Sequence, residues 1–219
     1  TREIQEDAQR LAPKADQGFS RILLVPLAAP LDSLIHAYGE ALKLHHQRQQ
    51  LFDSVGNSAD LDTKMPVWGW DQYRQADSNG TLVYYPKRCS AQAHGGLTKQ
   101  ELLKTLTFPG WEVHLIEDLP NLFAEGQGGL VGGRQQVTAG SSPNEYLAQP
   151  LQEQQYAEEL GFTMEAWLSL ALASLQDANR VLDDLQGAGK ASYLIGSYFP
   201  ASGVVPYADW FRDYRQARM

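Results

Sequence analysis

Cys89 and His94 stand five residues apart, and His94 is followed by Gly95 and Gly96. A thiol becomes a nucleophile when an imidazole draws off its proton, so the pair has the residue types for acyl-transfer chemistry. Such partners usually meet in space rather than in sequence, and the plainer reading is a partly buried cysteine beside a loop histidine. His114 and Glu117 are the other ionisable groups that could join them. Two acidic pairs, Glu117-Asp118 and Asp183-Asp184, have the residue types for acid–base work. Asp183-Asp184 falls where a helix is expected to end, and the helix dipole disfavours carboxylates there. That leaves room for a paired or functional role, although a solvated face is the favoured reading of both acidic pairs. His45 and His46 are adjacent and project about a third of a turn apart, a poor arrangement for sharing a metal. His36 and Glu40 form an i,i+4 surface pair. The zinc-protease pattern H-E-x-x-H is absent.

Two glycine-rich stretches could hold phosphate. Gly187-Ala188-Gly189-Lys190-Ala191-Ser192 has part of a phosphate-binding loop, but Asp184 stands where the first Gly belongs and Ala191 where Ser or Thr must reach Mg²⁺. A helix C-cap at Gly187 is the simpler account. Gly126, Gly128, Gly129, Gly132, Gly133 and Gly140 could point backbone N–H groups at an anion, but the dinucleotide fingerprint fails at Val131.

The elements that must carry these groups follow from hydrophobic spacing. Residues 2–12 place Ile4, Ala8 and Leu11 on one side of a short helix that Pro13 stops. Arg21–Val25 reads as a buried strand. A helix follows over about residues 32–52 with Asp32 as N-cap and Leu34, Ile35, Tyr38, Leu42 and His45 along its inner stripe. Residues 54–80 form a long loop pinned by Trp68 and Trp70. Thr81–Tyr85 is a second strand. Thr98 and Glu101 form a capping box that opens a helix to about Thr107. Trp111–Glu117 alternates as a strand with Trp111, Val113 and Leu115 on its apolar face. After a glycine-rich loop over 124–142, Ser142-Pro143-Asn144-Glu145 opens a helix with an N-cap, an N1 proline and a reciprocal glutamate. The main helix runs over 164–185 with Trp167, Leu168, Ala171, Leu175, Ala178 and Leu182 as its core face. Ala191–Phe199 is a strand, and Pro200 to Pro206 a turn. Helices and strands mix without clean βαβ alternation, which predicts an α+β domain, with an α/β sandwich as the alternative. The expected division is an N-terminal helical or βα portion over 1–56 and an α+β ligand-binding domain over 57–219, with one continuous domain as the alternative.

The chain has 219 residues, one cysteine, 26 acidic against 18 basic residues and a net charge of −8. The single Cys89 excludes a disulfide framework or multi-thiolate metal site. The acidic balance argues against nucleic acid and anionic membranes as partners. The longest apolar run, Ile22–Leu31, contains Pro26 and Pro30 and is about half a membrane span. A cytoplasmic protein with no membrane insertion is expected, and no residue pattern implies a cofactor or metal.

The C-terminal quarter, GAGKASYLIGSYFPASGVVPYADWFRDYRQA from Gly187 to Ala217, resembles the segment entering the variable region of target proteins of bacterial diversity-generating retroelements. The likeness is carried by Gly189-Lys190, Gly196, Tyr198-Phe199-Pro200, Ser202-Gly203, Val205-Pro206, Trp210, Arg212 and Arg215-Gln216-Ala217. Glu165-Ala166-Trp167-Leu168, in the preceding helix, is similar too. The resemblance implies a C-type lectin fold of the formylglycine-generating-enzyme type that presents a diversified binding surface. It implies that Tyr207, Asp209, Phe211, Asp213 and Tyr214 vary between a fixed Trp210, Arg212 and Gln216-Ala217, and that the domain continues with closing strands. Oxidases of this fold use cysteines for copper, which one cysteine does not supply.

The expected function is therefore a non-catalytic protein that binds an unidentified protein or small molecule through Tyr207, Asp209, Trp210, Phe211, Asp213 and Tyr214. Tyr and Phe supply large contact area at low rotamer cost, and Asp adds directed acceptors. A terminal amphipathic helix with Trp210, Phe211 and Tyr214 against the core fits the same residues. The alternatives are a small hydrolase-like enzyme with Cys89, His94, His114 and Glu117 in loops 86–97 and 124–142, or an interaction domain of a larger protein.

Overall fold

Leu31, Leu34, Tyr38 and Leu42 recur at helical spacing and are the buried stripe of α1 (Leu31–Gln47) in the computed structural model, which describes residues 12–124, 126–186 and 190–219. The helix expected over 2–12 and the cap expected at Gly187 lie outside these residues, apart from residue 12; residues 12–16 are helical and include Pro13, the expected helix stop. Pro30, not Asp32, holds the N-cap position of α1. The orphan N–H of Leu31 instead donates to the carboxylate of Asp77, at 3.0 Å.

α1 packs on α5 (Met164–Ala178), where Tyr38 meets Trp167 edge to face at 5.7 Å. Thr163 caps α5 by accepting from the N–H of Ala166. The helix ends seven residues before the expected Leu185, because Asn179 takes the left-handed conformation (φ 57°) that closes a helix. Beyond it, Arg180 to Leu182 run alongside Phe52, with Val181 donating to the Phe52 carbonyl. Leu182 is buried, but from this extended segment rather than from a helix face.

β1 (Phe19–Val25) pairs antiparallel with β4 (Glu112–Glu117), and Val25 opposite Glu112 and Leu23 opposite His114 face the interior. The alternation expected for β4 is reversed. Glu112 and Glu117 are buried, while Trp111 and Val113 face out beside Ile22 (65% exposed) and Leu24 (56%). The interior accepts the two glutamates because each is hydrogen-bonded: the Tyr85 hydroxyl reaches Glu112, and Arg134 and Gln136 reach Glu117. β1 is thus buried on one face only.

The loop over 54–80 carries β2 (Val67–Trp68) and a 3₁₀ turn at Asp71–Tyr73. Its buried anchors are Leu61, Tyr73 and Ala76, with Tyr73 stacked on Phe199 at 5.2 Å, whereas Trp70 is half exposed. The second strand shortens to β3 (Val83–Tyr84), and the capping-box helix to α2 (Lys99–Leu103). α3 (Leu119–Ala124) leads to the hairpin β5 (Leu130–Val131) and β6 (Arg134–Gln135), which turns on Gly132-Gly133, both at positive φ. α4 (Pro143–Gln152) begins with the Ser142–Glu145 capping box and the N1 proline.

The remaining strands are β7 (Ser192–Tyr193), β8 (Ser197–Tyr198), β9 (Tyr207–Phe211) and β10 (Gln216–Arg218). They break the expected 191–199 strand in two, because Gly196 crosses Gly161 backbone to backbone and donates to the Phe162 carbonyl. A sheet in the order β2-β10-β9-β7 results, with β3 and β8 paired beside it. The fold is mixed α+β with small sheets and no barrel among the described residues. Among the strands of the described residues, β2 and β10 pair parallel and the other strand pairs are antiparallel, so no βαβ unit of an α/β sandwich is seen there. One core runs from Leu23 through Tyr84 and Trp167 to Met219, and the boundary expected at residue 56 does not divide it. No described helix is long and apolar enough to cross a membrane.

Candidate functional site

Residues 207–211 form a strand, so their side chains alternate between two faces. Ala208 and Trp210 point inward with Ala217 of β10 and are buried. Tyr207, Asp209 and Phe211 point outward, opposite Tyr193, Arg218 and Gln216. A strand rather than an amphipathic helix therefore carries this segment. Trp210 is a core residue, a correction to its expected role in binding.

Asp209 lies on the outer side yet is fully buried, because Arg218 covers it with a fork of two bonds at 2.9 and 2.6 Å. The guanidinium also rests 3.7 Å from the centre of the Phe211 ring. Asp209 is therefore the counter-ion that fixes Arg218 rather than a free acceptor. Phe211 stacks on Tyr214 at 5.2 Å, and Tyr214 is 63% exposed. Trp68 pairs with Arg218 across β2 and β10 and meets Trp70 at 5.2 Å, with Trp70 50% exposed. Asp213 is exposed and bonded to the Gln186 side chain at 2.6 Å. The result is an outward face of Tyr207, Phe211, Tyr214, Trp68 and Trp70 around one immobilised guanidinium.

The hairpin is held from below by a second arginine. Arg212 forks onto the fully buried Asp184 at 2.5–2.9 Å and reaches Asp53 at 2.8 Å. Asp184 is thus a structural anion in an extended segment, not a residue of a helix end.

The alternative enzyme residues fall into separate networks. Burial pushes the Cys89 thiol up, away from the thiolate form, and its backbone N–H donates to Asn144. His94 Nδ1 accepts from the N–H of Gly96 at 3.0 Å. His114 approaches Glu112 at 3.4 Å. Glu117 is bound to Arg134 at 2.9 Å and Gln136 at 2.6 Å, and burial raises its carboxyl. No hydrogen bond joins Cys89 to an imidazole among the described residues. His45 bonds Asn179 and His46 bonds Asp60, and no described group of three or more His, Cys, Asp or Glu is placed to hold a metal ion.

Sequence reasoning missed Arg218, and it read Trp68 and Trp70 as loop anchors rather than as surface. Treating Tyr207–Phe211 as a strand would have recovered the shared face, since alternation alone separates 207, 209 and 211 from 208 and 210. The remote pairing of β2 with β10 left no local signal.

Comparison with known proteins gives no further assignment: no family model, curated protein or solved structure matches the chain.

Proposed function

We propose that this chain is a non-catalytic binding protein that engages a protein partner on the outer face of its C-terminal sheet. The observation that carries the reading is the Arg218 guanidinium, fixed by buried Asp209 and laid on Phe211 beside the partly exposed Tyr207 and Trp68 and the exposed Trp70 and Tyr214. Rigid aromatic groups and an oriented arginine supply contact area at low entropic cost, and they recur as interface hot spots. Aromatic rings carried on sheet strands around a fixed arginine suit a macromolecular surface.

The resemblance to retroelement target proteins is part of the same proposal, as is the finer C-type lectin fold. It gains support from the division of labour along the hairpin. Trp210, Arg212 and Ala217, which the resemblance treats as fixed, are packed or ion-paired, while Tyr207, Phe211, Asp213 and Tyr214 face outward. Its one half-buried thiol fits a reducing compartment such as the cytoplasm.

Sequencing the locus across many isolates tests the proposal. Substitutions should concentrate at codons 207, 211, 213 and 214, with 208, 210 and 217 constant and 209 changing only together with 218. A uniform stretch, or changes spread evenly over inward and outward positions, would overturn it.

A further inference from the structure

A cleft of about 210 Å³ lies at the edge of the C-terminal sheet, meeting the aromatic face at Tyr193 and bounded by α4, the glycine hairpin and the edge strand β7. Tyr146, Tyr156, Phe162 and Tyr193 give it aromatic walls, and Asp183 contributes the carboxylate. Asp183 adopts the left-handed backbone conformation (φ 54°), a strained choice for a residue with a Cβ. Its Oδ2 accepts from the Trp167 indole N–H at 2.7 Å, and the Ser192 hydroxyl donates as well.

What the carboxylate lacks is a cation. Arg134 also lines the cleft but is taken up by Glu117 at 2.9 Å and Glu159 at 2.5–2.8 Å. Glu159 is further bound by Lys14 at 2.7 Å. Lys190 lies along Gly126, where an added Cβ would meet its Cδ at 2.8 Å, and forms no ion pair with Asp183. Among the described residues no Lys, Arg or His stands within ion-pair distance of Asp183. The charged or titratable groups facing it are Tyr38 from α1 and Asp209 from β9, with Lys190, Arg134 and Glu159 around the cleft.

We propose that this cleft binds a small organic cation, an ammonium group on an apolar or single-ring body, with Asp183 as counter-ion and the aromatic walls around the charge. A partly buried carboxylate without a counter-ion is costly, and a ligand ammonium lowers that cost while tyrosine and phenylalanine faces attract it. The volume falls below the roughly 300 Å³ at which sites for drug-sized ligands begin, so the ligand is a single ring or shorter chain. Burial and the nearby Asp209 push the Asp183 carboxyl up to about 6. Cation binding needs the ionised form, so affinity is full above that pH and falls as pH drops through it.

The test uses the ¹⁵N-labelled chain and the indole N–H resonance of Trp167, which sits on the proposed counter-ion. Benzylammonium, benzoate and benzyl alcohol serve as probes of equal size and different charge. Benzylammonium is expected to shift the resonance saturably at pH 7.5 and to bind about tenfold more weakly at pH 5. Asp183→Asn keeps an oxygen for both donors and should weaken benzylammonium at least tenfold while leaving benzyl alcohol unchanged. Tyr146→Ala, in a wall rather than the interior, should weaken it severalfold and decides the matter should the first variant fail to fold. Tighter binding of benzoate would assign the cleft to anions through Lys190 and overturn the proposal. Absence of saturation, or benzylammonium affinity indifferent to pH, would overturn it too.

Discussion

Two neighbouring aspartates at residues 183 and 184 show how position decides the role of one chemical group. Asp184 is fully buried and neutralised by Arg212, with Asp53 sharing the same guanidinium. Removing the cation strands two carboxylates, so Arg212→Ala should lower stability by about 2 kcal/mol, less than for a fully buried pair because Arg212 is 38% exposed on its side chain. Arg212→Lys should recover only part of that, since an ammonium cannot fork. Urea unfolding of the three proteins checks both statements, and equal midpoints for all would contradict them. Asp183 has no such cation among the described residues, and its carboxyl is raised from 3.8 to about 6 in the folded chain. The folded state therefore holds this proton more tightly than the unfolded state. Stability falls as pH rises from about 4 to about 6, and the full penalty is present at neutral pH. Asp183→Asn is expected to gain about 3 kcal/mol at pH 7 and little at pH 4, which unfolding curves at the two pH values compare directly. A gain of the same size at both would show that ionisation is not its source.

The hairpin β9–β10 places residues of opposite purpose side by side, and strand parity sorts them. Trp210 is buried in the core, so Trp210→Ala should cost about 3–5 kcal/mol. Tyr214→Ala, four positions along and exposed, should stay within about 0.5 kcal/mol of the parent. Thermal melts of the pair measure the contrast, and comparable losses would mean that the outer face is packed rather than presented. The crossing of Gly161 and Gly196 is equally specific. A Cβ on Gly196 would overlap the carbonyl oxygen of Gly161, so Gly196→Ala must spread the chains and break the bond from Tyr85 N–H to the Gly196 carbonyl. A loss of about 3 kcal/mol or more is expected in the same melts. Capping boxes were legible because their partners are three residues apart, as at Thr98–Glu101 and Ser142–Glu145. The parity of β4 was not, because alternation names two faces without saying which is inside. Tyr85, Arg134 and Gln136 decide that by satisfying Glu112 and Glu117 from distant parts of the chain.

At the scale of the whole molecule, α1 packs on α5, β1 pairs with β4 across about ninety residues, and β2 pairs with β10 across about 150. A single core with such long connections should unfold as one unit. Tryptophan fluorescence and far-ultraviolet circular dichroism are expected to give superimposable denaturation curves, whereas two separated midpoints would restore the division near residue 56. The sequence by itself determined the α+β class, the start of the main helices and the stripes of α1 and α5, since caps and 3.6-residue spacing act over one or two turns. It also marked residues 207–214 as a dense group of aromatic and acidic side chains. Only the tertiary structure decided that Trp210 and Asp209 are enclosed, that Arg218 joins the outer face beside Trp68, and that Asp183 is left without a cation. Those outcomes depend on which remote strand or arginine arrives next to each residue, and pairing across more than a hundred positions is set by the global packing minimum rather than by any local pattern.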